Sequence, residues 1–129
     1  LEVYSDNPRD LSTMEHKLFR DTYTYIIGQV CARLKPNRFA VFVVGDFRDK
    51  KTGLYRNFPM LTIQAFEAAG CYLYNQAILL TSVGSLPVRV GRQFEAGRKL
   101  GATHQQVLVF VKGLPRLAAD ACNGQLELL

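Results

Sequence analysis

An open α/β sheet with helices packed on its faces is the fold class this sequence predicts, and three observations carry the prediction. The run Phe39-Ala40-Val41-Phe42-Val43-Val44 has no polar alternation, as expected of a strand covered on both faces in a parallel sheet. Segments with apolar residues three and four apart stand before and after it, the signature of amphipathic helices. The resulting order of helix, strand, helix, strand, long connection and strand is that of layered α/β architectures. The first two strands are expected to be parallel, joined by a right-handed crossover, in an open sheet whose third strand, without a clear helix before it, is open to antiparallel pairing.

The elements follow in order. Asp6-Asn7-Pro8-Arg9-Asp10 reads as a loop, and Ser12-Thr13-Met14-Glu15 matches a capping box. Behind it Met14, Leu18, Phe19, Ile26, Ile27, Val30 and Leu34 predict a buried face on a helix over 13–34, which Lys35-Pro36-Asn37 stops. After the strand over 39–44, Gly45-Asp46 opens a polar connection. A second helix is expected over 59–69, burying Phe58, Leu61, Ala65, Phe66 and Ala69 and ending at Gly70. A second strand is expected over 72–80 and a third over 106–112, with a short helix over 93–100 as an option between them. Residues 114–129 carry no clear pattern.

A length of 129 residues with 48% hydrophobic and 21% charged residues suits one globular domain with a core that needs no covalent staples. Three widely spaced cysteines, Cys31, Cys71 and Cys122, form no C-x-x-C pair, which argues against a disulfide framework or a zinc site and for a reducing compartment. No apolar run reaches the ~18 residues of a membrane span, and the start has no signal-peptide pattern; a cytoplasmic location away from membranes is expected. A chain that opens on Leu1-Glu2-Val3-Tyr4 without methionine reads as part of a longer polypeptide. The net charge of +5 is compatible with an anionic partner.

In open sheets, ligands bind outside the carboxyl ends of the strands. That rule points to Asp46 and Arg48 and to the following Tyr55, Arg56 and Asn57. Two readings stand side by side here: a substrate contact, or an Asp46 that caps a turn with Asp49-Lys50-Lys51 as a solvated tip. The connection over 81–104 is long for a compact domain. From Arg89 to Arg116 the chain carries Arg89, Arg92, Arg98, Lys99, Lys112 and Arg116 against the single acid Glu95, and arginines pair with phosphate oxygens in bidentate fashion. A solvated loop is the competing reading. His104 precedes the last strand, where a structural hydrogen bond and a substrate contact are equally open. No Ser-His-Asp or Cys-His arrangement, G-x-G or P-loop, or acidic metal-ligand cluster is present, so no catalytic or metal-binding residue is assigned.

Three stretches taken together resemble a known family: Leu1-Glu2-Val3-Tyr4-Ser5-Asp6, then Phe39 through Val44 continuing as Gly45-Asp46-Phe47-Arg48-Asp49-Lys50, and Thr81-Ser82-Val83-Gly84-Ser85-Leu86-Pro87-Val88-Arg89 running on through Gly91-Arg92-Gln93-Phe94-Glu95 to His104 and Gly113. They resemble the C-terminal half of phage and bacterial DNA amino-methyltransferases, which methylate the exocyclic amine of adenine or cytosine with S-adenosylmethionine. The resemblance covers residues 1–113, leaving 114–129 as a C-terminal tail. It implies a partial Rossmann-like methyltransferase fold, an open, mostly parallel sheet with a final antiparallel strand, whose glycine-rich cofactor loop and Pro-Pro-aromatic catalytic motif lie outside this chain.

The chemistry of that family needs the target base extruded and its amine oriented toward the sulfonium methyl. For this half the resemblance implies a target-base wall from Tyr4, Ser5, Asp46 and Arg48, and phosphate contacts from Arg56, Arg89, Arg92, Arg98 and Lys99. It further implies DNA as partner, S-adenosyl-L-methionine as a cofactor bound mainly by other residues, and self-association or pairing with a missing N-terminal half. The rival expectation is a non-catalytic nucleic-acid-binding or assembly module of the same fold.

Overall fold

The computed structural model describes residues 3–82, 84 and 86–126. The N-terminal segment leads into α1 (His16–Arg33), β1 (Arg38–Val44), α2 (Phe58–Ala68), β2 (Tyr72–Leu80), α3 (Leu86–Gly97), β3 (His104–Lys112) and α4 (Pro115–Leu126). Among the described residues no helix is long and apolar enough to cross a membrane.

The first helix starts later than its capping-box signature suggests. Ser12 donates its N–H to Asp10 Oδ1 at 2.8 Å and accepts the Tyr4 N–H on its hydroxyl at 3.1 Å, while Thr13 Oγ1 donates to the Asp10 carbonyl at 2.8 Å. Such local side-chain bonds compete with the helical ladder and hold this stretch in turns. Glu15 is the residue that caps α1, its carboxylate accepting the Lys17 N–H at 3.0 Å. The buried stripe is Phe19, Ile27 and Cys31 with Tyr23 partly covered; Leu18, expected inside, is 52% exposed. At the other end Lys112 Nζ donates to the Cys31 and Leu34 carbonyls at 2.7 and 2.8 Å, supplying donors to helix-end carbonyls that have no partner within the helix.

The second helix ends as expected. Gly70 adopts φ +79°, and the N–H groups of Gly70 and Cys71 bond the carbonyls of Glu67 and Phe66 at 3.0 and 2.9 Å, the pattern of a Schellman stop. Thr62 is buried but satisfied, donating to the Phe58 carbonyl at 2.9 Å and lying 3.1 Å from the Tyr23 hydroxyl.

The sheet has the antiparallel final strand that was expected, while the mostly parallel pairing is not found among the described residues. Its three strands are ordered β1-β3-β2, and both ladders are antiparallel. Because each outer strand opposes β3, β1 and β2 do run in the same direction with α2 between them in sequence, but β3 is inserted where their parallel pairing was expected. An apolar run without alternation does not fix strand direction: β1, which carries that run, is an edge strand here, and the central strand β3 is apolar from Val107 to Val111 yet antiparallel to both neighbours.

The core lies on one face of this sheet. Phe42, Val44, Leu108 and Phe110 meet Ile27 and Cys31 of α1 and Ala65 and Phe66 of α2. The Phe66 and Phe110 rings stack at 3.9 Å between centroids, and Phe42 meets Phe66 edge-on at 4.8 Å. Cover on both faces, expected for β1, is incomplete among the described residues: α4 lies against β1 and β3, yet Val41 and Val43 remain 57% and 49% exposed.

Candidate functional site

The carboxyl end of β1 delivers the chain into a tight hairpin over 47–56. The Arg56 N–H bonds the Phe47 carbonyl at 2.9 Å, and the Asp49 N–H bonds the Leu54 carbonyl at 2.8 Å. Asp49 Oδ1 accepts the N–H groups of Lys51 and Thr52 at 2.9 and 2.6 Å, a side-chain-closed turn. Gly53 completes the turn at φ +74°, a conformation open to glycine at no steric cost. The amide of Thr52 above all, with the Arg56 guanidinium contributing, holds the Asp49 carboxyl below the usual carboxylate range.

The arms of the hairpin are tied by the side chains that sequence reasoning had assigned to substrate. The Arg48 guanidinium sits 3.8 Å over the Tyr55 ring and donates to the Gly53 carbonyl at 3.0 Å. Arg56 is ion-paired with Asp49. Asn57 adopts φ +54° and provides no side-chain cap for α2; Asp46 does so from twelve residues upstream, Oδ1 accepting the N–H groups of Phe47 and Phe58 at 2.8 and 3.0 Å. The capping contact that one reading expected of Asp46 is thus present.

One cleft beside the hairpin, about 280 Å³, places Asp46, Arg48 and Tyr55 together with Gln93, and three further clefts bear on the site. The first, about 380 Å³, lies between it and the N-terminal segment, with Val3, Met14 and Phe19 among its apolar lining and Arg48, Lys50, Lys51 and Arg56 among its cations. The second, about 400 Å³, is lined by Arg48, Asp49 and Lys50 of the hairpin and by Gln93, Ala96, Gly97 and Lys99. The third, about 270 Å³, brings Asp46 and Tyr55 together with His104, Gln105 and Gln106 at the start of β3.

The remaining expected residues are more scattered. Tyr4 is 77% exposed and Ser5 donates its hydroxyl to Asp10 at 2.8 Å, whereas Asp46 and Arg48 line one cleft together. Arg92 lies exposed on α3, and Arg98, at φ +52°, packs 5.1 Å over the Phe94 ring. The side chain of Arg89 lies outside the described residues. Lys112, part of the basic stretch, is spent on the end of α1. Lys50, Lys51 and Gln93, which were not among the expected contacts, also line these clefts; the Asp-x-x-Thr-Gly turn around the two lysines is the local signal in the sequence.

These clefts do not fit a sulfonium cofactor by themselves. Those of about 380 and 400 Å³ are ringed by cations; Asp49, which lines both, is already paired with Arg56, and Glu15, the other carboxylate of the former, caps α1, while the N-terminus of α2, otherwise a ready anion site, is filled by the Asp46 carboxylate. The same charges suit an anionic ligand.

No family model and no curated protein matches this sequence. Among solved structures, the chain is similar to a protein of Thermus thermophilus named as a DNA modification methylase, with a TM-score of 0.59 and 18% identity over 77% of this chain and 38% of that one. A second structure of that protein, in complex with S-adenosyl-L-methionine, gives a TM-score of 0.58 over 77% of this chain and 39% of that one. The likeness is one of fold: an α/β unit like part of a DNA methyltransferase, spanning about two-fifths of that protein's length.

Proposed function

We propose that this chain is the substrate-side portion of an S-adenosylmethionine-dependent DNA methyltransferase acting on the exocyclic amino group of adenine or cytosine, with the methyl-donor pocket formed mainly by residues outside it. The observation that carries the reading is the likeness in fold over 77% of this chain to about two-fifths of a protein named as a DNA modification methylase. The cation-lined clefts at the carboxyl end of β1 support it, because a polyanionic substrate is what such a surface attracts. This portion contributes the nucleic-acid contact and the framework that holds it, and no catalytic residue is assigned within it.

Calorimetry tests the reading on this chain beside the product of the complete reading frame that encodes it. Salt-dependent binding of duplex DNA by both, with tight binding of S-adenosylmethionine and methyl transfer confined to the longer product, is the expected result. Tight binding of the methyl donor by this chain alone would overturn it.

One observation favours a second reading. The exposed valines of β1 lie along an edge strand with no partner on its outer side among the described residues, which suits a non-catalytic nucleic-acid-binding or assembly module whose sheet is completed by another chain. A complete product that binds DNA yet transfers no methyl group decides for this module.

A further inference from the structure

We infer that the 47–56 hairpin is a pre-shaped finger that grips the sugar-phosphate backbone of DNA through Lys50, Lys51 and Lys99, and that its two arginines serve the shape of the finger. The inference rests on the DNA reading above and assigns the contact to residues of which the resemblance implied only Lys99. Between Phe47 and Asn57 the chain carries four cations, Arg48, Lys50, Lys51 and Arg56, against one carboxylate, Asp49. The structure divides them into two pairs. Arg56 neutralises Asp49, and Arg48 is stacked on Tyr55 and bonded to the Gly53 carbonyl. Lys50 and Lys51 occupy the turn itself, are exposed, and make no side-chain hydrogen bond or ion pair among the described residues.

A third ammonium joins them from the end of α3. A Cβ built on Gly53 would lie 3.3 Å from Lys99 Nζ, so Lys99 rests against the finger at the one residue without a side chain. The cleft between finger and α3 is lined by Arg48, Lys50 and Lys99, with the amide of Gln93 as a further donor, and its single carboxylate is the one Arg56 holds. Like charges lining one cleft disfavour the fold in isolation; an anion with regularly spaced charge relieves the repulsion, and lysines act there as point charges. Holding the turn by Asp49, Thr52 and Gly53 before binding lowers the ordering cost that a mobile basic loop would meet on contact.

Fluorescence anisotropy of this chain with a labelled duplex, across a salt series, tests the assignment. Each phosphate contact contributes a slope of about 0.9 in log affinity against log salt. Lys50→Ala/Lys51→Ala is expected to lower the slope by about 1.8, and addition of Lys99→Ala by about 0.9 more, equally on unrelated sequences. Thermal unfolding of the variants should match the parent. Arg33→Ala, at the opposite end of the molecule where α1 finishes, should leave the slope unchanged. A parent slope retained in the triple variant overturns the finger and spares the DNA reading. Tighter binding of polyglutamate than of the duplex overturns the choice of phosphate. Absence of salt-dependent DNA binding by the parent removes the DNA reading itself, and the finger with it.

Discussion

The carboxylate of Asp46 lies 3.0 Å from the backbone N–H of Phe58, joining the last turn out of β1 to the first turn of α2 and closing the base of the hairpin between them. Asn57, the residue at the usual capping position, is in a left-handed conformation and caps nothing with its side chain. Asp46→Ala is therefore expected to cost about 0.5–2 kcal/mol, the range for loss of a helix cap, and Asp46→Asn less, since one acceptor oxygen survives. Urea denaturation of the two variants checks this; equal stability of Asp46→Ala and parent removes the capping role.

Gly113 offers a sharper steric test. It turns the chain out of β3 at φ +92°, and a Cβ there would lie 2.5 Å from Asn37 Oδ1, the atom that accepts the Leu114 N–H at 3.0 Å. Gly113→Ala combines backbone strain with displacement of that acceptor, so a loss of about 1–3 kcal/mol is expected. A melting temperature equal to the parent's contradicts it.

Cys31 is fully buried beside α2 and the sheet. Burial first, then the neighbouring Cys71 thiol, pushes its ionisation from 9.0 up to about 12. The folded state thus keeps a proton that the unfolded chain releases, so this contribution to stability is complete below about pH 9 and is lost as pH rises toward 12. Comparing denaturation midpoints of parent and Cys31→Ala through alkaline pH should show the parent falling more steeply. At neutral pH a thiol reagent should modify the half-buried Cys122 well before Cys31 or Cys71; modification of Cys31 at the rate of Cys122 in the native protein contradicts the assignment.

The uncovered side of β1 carries a prediction about association. Val41 and Val43 share that side with Val109 and Val107, their register partners on β3, and an open strand edge with exposed apolar residues invites pairing. The chain is expected to self-associate as concentration rises, and Val41→Lys/Val43→Lys to shift its sedimentation toward the 14.5 kDa of one copy. A parent that sediments as one copy at every concentration counts against the prediction.

Local physics explains which elements were legible. Gly70 marked the end of α2 because a left-handed stop favours a residue without Cβ. The start of α1 was misread because Asp10, Ser12 and Thr13 bond the backbone around themselves, an outcome that competes with the capping box of the same residue types. The helix at Pro115–Leu126 was not anticipated, since its apolar pattern is sparse and its place depends on the sheet beneath it. In the site, the strand-end rule pointed to the loop after β1 and to Arg48 and Arg56, but that both are engaged within the hairpin was not legible, because free and engaged cations look alike in a sequence.

The amino-acid order alone located α1, α2 and the three strands and marked where a glycine must turn the chain; these follow from spacing and from the conformational preferences of single residues. Strand order, the antiparallel insertion of β3 and the division of four hairpin cations into two that shape the turn and two that face outward were decided by the folded molecule. Each depends on which partner lies opposite after the chain has closed on itself, as when Lys112 reaches the carbonyl of Cys31, and no local pattern encodes that choice.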